Sequence, residues 1–262
     1  MKILIINPIL YTAETRAIPK RDSIKDTMIY DLCLAFHEAG HTVELLAGEP
    51  WKPVKEEAYP FRVIWGKCSL QRVFLPHRLP FIARTGSIVK SGNYDLIITS
   101  EVFSINTFLA FRKAPDRVIA WHELSKHNAI LHKIPSIVWY NVVVRLFMRN
   151  LTVVARSEQA KAFISAYCRN TLDTVIDHGV NPDKFPVSRE KKNQFAVCSQ
   201  LIPRKRIDGI LRIFGQYLRE KDSDAKLVII GGGWKNRPCA CRPSRLALPT
   251  ASPLRDICRM KK

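Results

Sequence analysis

The sequence lacks a long hydrophobic run. Its longest apolar stretch, residues 137–144, contains Asn141 and is followed by Arg145, so it falls well short of the ~20 apolar residues that span a bilayer. The apolar run near the start is interrupted by Asn7 and Pro8, a pattern that does not fit a signal peptide. We therefore expect a cytoplasmic protein.

A glycine-rich nucleotide fingerprint is also missing. The turn after the first predicted strand reads Asn7-Pro8-Ile9-Leu10 where a dinucleotide-binding domain has Gly-x-Gly-x-x-Gly. We therefore do not expect an ordinary dinucleotide-dependent dehydrogenase. Repeats of solenoid length are absent as well, which excludes a repeat array.

The seven cysteines have no regular spacing. Three of them, in the last 29 residues, do not form the two-residue knuckle of a zinc site. We therefore expect no metal and no cofactor. The other four stand in apolar or mixed surroundings and are predicted to be buried, reduced thiols: Cys33, Cys68, Cys168 and Cys198.

Acidic residues are scarce. The chain has 42 Lys and Arg against 23 Asp and Glu, a formal net charge of +19. Such a balance favours polyanionic partners, which are nucleic acid, an anionic membrane surface or a phosphate-bearing small molecule. Because the chain shows no aromatic and basic platform and no known reading motif, nucleic acid is the weakest of these alternatives.

Strands and helices alternate through most of the chain. Predicted strands lie at 2–7, 42–47, 61–65, 95–99, 117–121, 151–155 and 174–176. Helices lie at 82–90, 103–111, 134–149 and 158–167, with an earlier one that begins after Ser23 as N-cap and ends at Gly40. This order predicts an α/β fold with a doubly wound, Rossmann-like sheet in a first domain, residues 1–187.

A second α/β domain is predicted to begin after a polar linker. Strands at 195–198 and 227–230 enclose a helix at 207–220, so residues 188–233 are interpreted as the start of this domain. Residues 234–262 contain eight Lys or Arg, one Asp, four Pro and three Cys without any periodicity. We interpret them as an irregular basic tail, either an out-of-frame or vestigial terminus or a specialised basic segment.

Cations stand at the first turn of the second domain. Arg204, Lys205 and Arg206 follow the strand at 195–198 and precede the helix, where the helix amino terminus favours an anion. The alternative is a solvated basic loop. Gly231, Gly232 and Gly233 follow the next strand and would let a nucleotide approach the backbone.

Two histidines follow strands of the first domain. His122 and Glu123 come after the fifth strand, at the edge where α/β sheets bind ligands, and His122 is a candidate hydrogen-bond donor or base. A helix-capping or buried structural histidine is the alternative. His178 and Gly179 follow the last strand and are interpreted as an interdomain hinge.

Several segments together resemble a known family. They are residues 38–43, 94–98, 157–158, 178–185, 201–205 and 227–233, and their order and spacing are similar to those of the retaining glycosyltransferases of family four. That family has the GT-B fold, in which two Rossmann-like domains face each other. The resemblance covers residues 1 to about 233.

The resemblance implies roles for the candidate residues. A nucleotide-sugar donor would bind the second domain, where Lys205 matches the family lysine on the diphosphate and the glycine turn lies beside the nucleotide. The family arginine falls at Gln200, and Arg204 would replace it. A glycan or lipid-linked acceptor would bind the first domain, with His122 and Glu123 near the reacting centre, and a basic surface would suit an anionic membrane.

The family also has two glutamates eight residues apart in its donor domain, and this sequence has no counterpart after Gly233. We therefore expect a member truncated in the donor domain, with weak or no transferase activity in polysaccharide biosynthesis. Two other interpretations remain open, a non-catalytic module that binds a glycan or partner and a nucleotide-sugar epimerase of the same fold.

Overall fold

The computed structural model describes residues 1–12, 17–184, 190–221 and 224–232. The chain forms two compact units, Met1–Phe185 and Pro186–Lys262. The predicted basic tail, residues 234–262, lies outside the described residues.

The first unit contains a seven-stranded sheet in the order β3-β2-β1-β4-β5-β6-β7. Every recorded pair is parallel. The predicted Rossmann-like α/β architecture is therefore confirmed for this unit. The strands are β1 Lys2–Ile6, β2 Thr42–Gly48, β3 Arg62–Gly66, β4 Leu96–Thr99, β5 Val118–His122, β6 Thr152–Ala155 and β7 Asn170–Val175.

Strand β1 lies inside the sheet, between β2 and β4, and is apolar on both faces. Ile3 and Ile5 belong to one buried cluster, and Leu4 and Ile6 belong to the other. Successive side chains point to opposite faces of a strand, so these four residues take part in both cores. Continuous burial of this kind is typical of a parallel sheet covered by helices on both sides.

The helices of the first unit follow the predicted positions with one correction. They are α1 Met28–Glu38, α2 Thr85–Ser91, α3 Ile105–Lys113, α4 Ile134–Val138 and α5 Glu158–Ser165. The prediction that Ser23 caps the first helix is wrong. The Ser23 hydroxyl donates to Glu57 at 2.7 Å, residues 24–27 form a separate turn, and the Thr27 hydroxyl accepts from the Tyr30 amide.

Helix α4 continues directly into a π-helix, Trp139–Met148. One residue in every four faces the core: Ser136, Tyr140, Val144 and Met148. We call residues 134–148 the long helix. Within the described ranges, no helix is both long enough and apolar enough to cross a membrane.

The second unit contains two parallel strands, β8 Gln194–Cys198 and β9 Lys226–Ile230, and the helix α6 Ile207–Lys221. Phe195 of β8 contacts the rings of Phe214 and Tyr217, with centroids 5.7 and 5.4 Å away. Among the described residues of this unit, Ala225 alone is buried.

The thiols follow the prediction at three of four positions. Cys33, Cys68 and Cys168 are buried, and burial raises the pKa of these thiols to about 12, 11 and 12. They are therefore protonated, unreactive core groups. Cys198 is exposed, contrary to prediction, because α6 covers only part of β8.

Glu44 of β2 is a buried carboxylate with three partners. The Tyr94 hydroxyl donates to it at 2.7 Å, and Lys2 and Arg62 lie 3.3 and 3.6 Å away. Burial alone would raise the pKa of Glu44, but Tyr94, Lys2 and Arg62 outweigh burial and lower it. The ionised carboxylate thus stabilises the amino-terminal edge of the sheet.

We expect Glu44→Gln to lower the free energy of unfolding at neutral pH by about 1.5–3 kcal/mol, the range for hydrogen bonds to a charged group. Because the folded-state pKa is depressed, this stabilisation exists above the unfolded pKa of about 4.3 and disappears as the pH falls through the folded value. Urea denaturation at neutral and acidic pH should therefore show a difference that shrinks in acid. The exposed Glu56→Gln is the control, and a difference independent of pH would contradict the assignment.

Candidate functional site at the carboxyl edge of the first sheet

A cavity of about 250 Å³ opens where the chain leaves β1 and β4. In a doubly wound sheet, the connections on the two sides of this point run in opposite directions and leave a crevice outside the strand ends. Its walls are mostly apolar and include Pro8, Phe103 and Trp139, while Glu101 and Asn128 supply polar groups. An apolar pocket with a few polar groups is the usual form of a small-molecule site.

Glu101 follows β4 and forms part of the cavity wall. Its Oε1 accepts from the Val102 amide at 3.1 Å, and its Oε2 accepts from the Glu123 amide at 3.2 Å. The two backbone groups fix the carboxylate in place. Since a carboxylate has about four lone-pair positions, Glu101 can still accept a hydrogen bond from a ligand.

His122, at the end of β5, lies behind Glu101. It is fully buried, and its Nδ1 contacts Glu101 Oε1. The ring stacks on Phe163 with centroids 6.2 Å apart, and its Nε2 has no hydrogen-bond partner among the described residues. The cavity wall therefore presents Glu101, and His122 reaches a ligand only through that carboxylate. A direct catalytic role for His122 stays a prediction.

Arg156 follows β6 and joins three neighbouring side chains. Its Nη1 donates to Glu123 Oε2 at 3.1 Å and to His178 Nε2 at 3.2 Å. The guanidinium lies over the Trp121 ring, 3.9 Å from the centroid. Burial lowers the pKa of Arg156, and the neighbouring carboxylates of Glu123, Glu101 and Asp177 oppose that shift. Arginine nonetheless stays charged at neutral pH.

Glu123 and His178 thus contact the same cation, although they are 55 residues apart in sequence. Glu123 is 64% exposed and does not contribute to the cavity wall. His178 also packs against Trp121 with centroids 5.5 Å apart. Gly179 has no positive φ, and a Cβ there would meet no atom, so the backbone does not require glycine. The hinge role of His178 and Gly179 stays a prediction.

The predicted anion-binding turn of the second unit is a 3-10 turn, Pro203–Lys205, directly before α6. Lys205 is exposed. Arg206 adopts a left-handed conformation with φ 49° and pairs with Asp208 at 3.3 Å, which lowers the pKa of Asp208. The backbone of Arg204 belongs to the turn, but its side chain lies outside the described part of the chain. Among the side chains of this turn that the structure describes, Lys205 is therefore the cation without a carboxylate partner.

Gly231 lies beside the end of β8 in a conformation that favours glycine. Its φ is +153°, and a Cβ would come within 1.8 Å of the Ser199 carbonyl oxygen. The Leu201 amide donates to the Gly232 carbonyl at 2.8 Å, which joins the two strand ends. Gly233 lies outside the described residues. A side chain at Gly231 would separate the two loops that begin the predicted nucleotide site.

A family model described as Glycosyltransferase Family 4 matches residues 26–184, which is more than half of the chain. The chain belongs to glycosyltransferase family 4. A search of curated proteins found no match. The family segment contains Glu101, His122 and Arg156 but not Lys205 or Gly231. The resemblance seen in the sequence is confirmed at the level of the family and of its Rossmann-like fold.

Two residues of the candidate site were not singled out in the sequence. Glu101 follows β4 and Arg156 follows β6, so both occupy the same edge as His122. The sequence signal that could have identified them is a charged residue one or two positions after a buried strand. As for metal ions, no group of three or more His, Cys, Asp or Glu able to hold one occurs in the described ranges.

The contacts of Arg156 predict a large effect of truncation. We expect Arg156→Ala to lower the free energy of unfolding by about 1.5–3 kcal/mol, because it removes the packing of the guanidinium on Trp121 and its hydrogen bonds to Glu123 and His178. The exposed Glu123 should contribute less than about 1 kcal/mol, so Glu123→Gln should cost little. Urea denaturation of both variants measures these values.

The exposed Arg72→Ala is the matched control for the change of charge and length. An Arg156→Ala protein as stable as this control would show that the cluster does not hold the sheet edge together.

Proposed function

We propose that the chain is a retaining glycosyltransferase that moves a sugar from a nucleotide-sugar donor to a glycan or lipid-linked acceptor in polysaccharide biosynthesis. The observation that carries the proposal is the cavity at the β1–β4 crevice with the Glu101 carboxylate in its wall. Membership of family 4 supports the reaction class. The nature of the donor, the acceptor and the stereochemistry are parts of the proposal.

The cavity suits an acceptor better than a donor. Its volume of about 250 Å³ lies below the ~300–1,000 Å³ of most small-molecule pockets, so it has room for one sugar ring and not for a complete nucleotide sugar. Apolar walls from Phe103 and Trp139 suit the face of a sugar ring, and Glu101 would accept a hydrogen bond from an acceptor hydroxyl.

His122 and Arg156 support this arrangement as positioning residues. His122 contacts Glu101, and the amide of Glu123 donates to the same carboxylate. Arg156 in turn holds the Glu123 side chain. A carboxylate fixed from several sides keeps its orientation when a ligand enters, which lowers the entropic cost of binding.

The donor diphosphate would bind at the turn before α6. Lys205 is exposed there, and the amino end of a 15-residue helix adds amide groups and a favourable dipole. Gly231 and Gly232 would let the nucleotide approach the backbone, with Gly233 and Arg204 as further proposed contacts. Cations can stabilise a leaving diphosphate without a metal, so we propose no metal cofactor.

In the proposed reaction, the bond between the anomeric carbon and the diphosphate oxygen breaks, and the acceptor hydroxyl oxygen forms the new bond to that carbon. Negative charge develops on the departing diphosphate, where Lys205 would stabilise it. The hydroxyl proton leaves the acceptor, with Glu101 as the carboxylate available in the cavity. The expectation that transfer is impaired depends on residues beyond Gly233, outside the described part, and stays a prediction.

Two substitutions separate donor binding from acceptor chemistry. We expect Lys205→Gln to weaken binding of uridine or guanosine diphosphate about tenfold, or 1.4 kcal/mol, because one phosphate contact is lost. Glu101→Gln should leave nucleotide binding unchanged and lower turnover about a hundredfold, the lower end for a proton-transfer group. Calorimetry measures the first effect, and sugar transfer to a lipid-linked acceptor measures the second.

Lys52→Gln, an exposed lysine of the first unit, is the matched control for the loss of charge. A chain that binds no nucleoside diphosphate and transfers no sugar would overturn the proposal in favour of a non-catalytic module. A change in the donor sugar without any acceptor would instead indicate an epimerase.

A further inference from the structure

The outer side of the long helix is apolar although it faces solvent. Six large side chains there are each at least 41% exposed. The helix also has a buried side, so it is hydrophobic nearly all round, a pattern expected of a helix that is covered on every side. The six residues, which we call the outer face, are Ile134, Ile137, Val138, Val142, Leu146 and Phe147.

The polar groups of this face do not interrupt it. The Asn141 side chain donates to the Ile137 carbonyl at 2.9 Å, so its amide already has a partner within the helix. Aliphatic groups extend from Ile134 at one end to Leu146 at the other, 62% and 69% exposed. Single exposed apolar residues are normal on a protein surface, whereas a continuous exposed apolar strip on one helix marks a binding surface.

The charged residues in and beside the long helix have one sign. The segment from Lys126 to Arg149 contains four Lys or Arg and no Asp or Glu. Lys133 lies directly before the long helix, and Arg145 and Arg149 lie at its far end, all three exposed. An aliphatic strip with cations at its ends is the pattern of a helix that rests in the boundary of an anionic bilayer.

We propose that the outer face of the long helix docks the chain on an anionic lipid surface. The aliphatic side chains would enter the boundary between headgroups and acyl chains, while Lys133, Arg145 and Arg149 would contact lipid phosphates. A second copy of this chain is disfavoured as the occupant, because two faces with the same cationic ends would repel each other. The proposal deepens the lipid-linked part of the proposed function and rests on it, since docking would bring the chain to a lipid-borne acceptor.

Vesicle binding tests the docking surface without any sugar. The full chain is mixed with vesicles of phosphatidylcholine alone or with about one third phosphatidylglycerol, and bound protein is measured by sedimentation. We expect binding to the anionic vesicles and little to the neutral ones. Val142→Glu with Leu146→Glu should weaken binding at least about tenfold, because charges cannot enter the boundary. Arg145→Gln with Arg149→Gln should weaken it by a similar factor.

Matched controls exist elsewhere in the first unit. Val54 is exposed and apolar, 67% exposed, and Lys52 is an exposed cation, so Val54→Glu and Lys52→Gln should bind as the unaltered chain does. Circular dichroism checks that each variant folds. If the double glutamate variant does not fold, Val142→Ser with Leu146→Ser takes its place.

Three outcomes would overturn the proposal. They are absence of binding to anionic vesicles, undiminished binding by the outer-face variants, and a dimer in solution that those variants abolish without loss of vesicle binding. The last outcome would assign the face to a second copy. Because the vesicles carry no acceptor and no donor is present, these results are independent of glycosyl transfer. If the chain transfers sugar to a water-soluble acceptor but does not bind vesicles, the docking proposal is overturned and the proposed function is not.

Discussion

The parallel pairing of β1 with β2 on one side and β4 on the other is the constraint on which the first unit depends. Four of the five residues of β1 are no more than 1% exposed. The strand therefore fits only inside a sheet that is covered on both faces. The connections that follow β1 and β4 run in opposite directions along the sheet, and their divergence opens the crevice beside Glu101. The position of the candidate site therefore follows from the pairing of one strand.

The same geometry brings charged groups together at the carboxyl edge. Parallel strands end side by side, so the residues after β4, β5 and β6 become neighbours although the sequence separates them. Burying a guanidinium costs several kcal/mol, and Arg156 is only 8% exposed. Its stacking on Trp121 and its hydrogen bonds to Glu123 and His178 offset that cost. The result is a connected set of side chains at the carboxyl edge of the sheet.

The long helix has apolar side chains on two sides, one buried in the core and one exposed to solvent. Tyr140, Val144 and Met148 are completely buried and complete one core of the first unit, while Val142 and Leu146 leave aliphatic surface in solvent. An exposed strip of this kind adds nothing to the stability of the isolated unit and invites association. The strip contributes favourable free energy only when another apolar surface covers it and removes it from water. In the proposed contact, the lipid bilayer covers the strip. This contact would also hold the acceptor cavity near a lipid-borne substrate.

Local patterns in the sequence determined the strands, most of the helices and the family, because apolar periodicity and strand-ending turns are encoded within a few residues. They also placed His122 at the end of a strand and Lys205 in the turn before a helix. Only the tertiary structure decided that His122 is fully buried behind Glu101, that Arg156 joins Glu123 to His178, and that Arg206 is occupied by Asp208. Cys198 and Ser23 were misjudged for the same reason. Burial and side-chain partners depend on residues distant in sequence, and no local pattern contains that information.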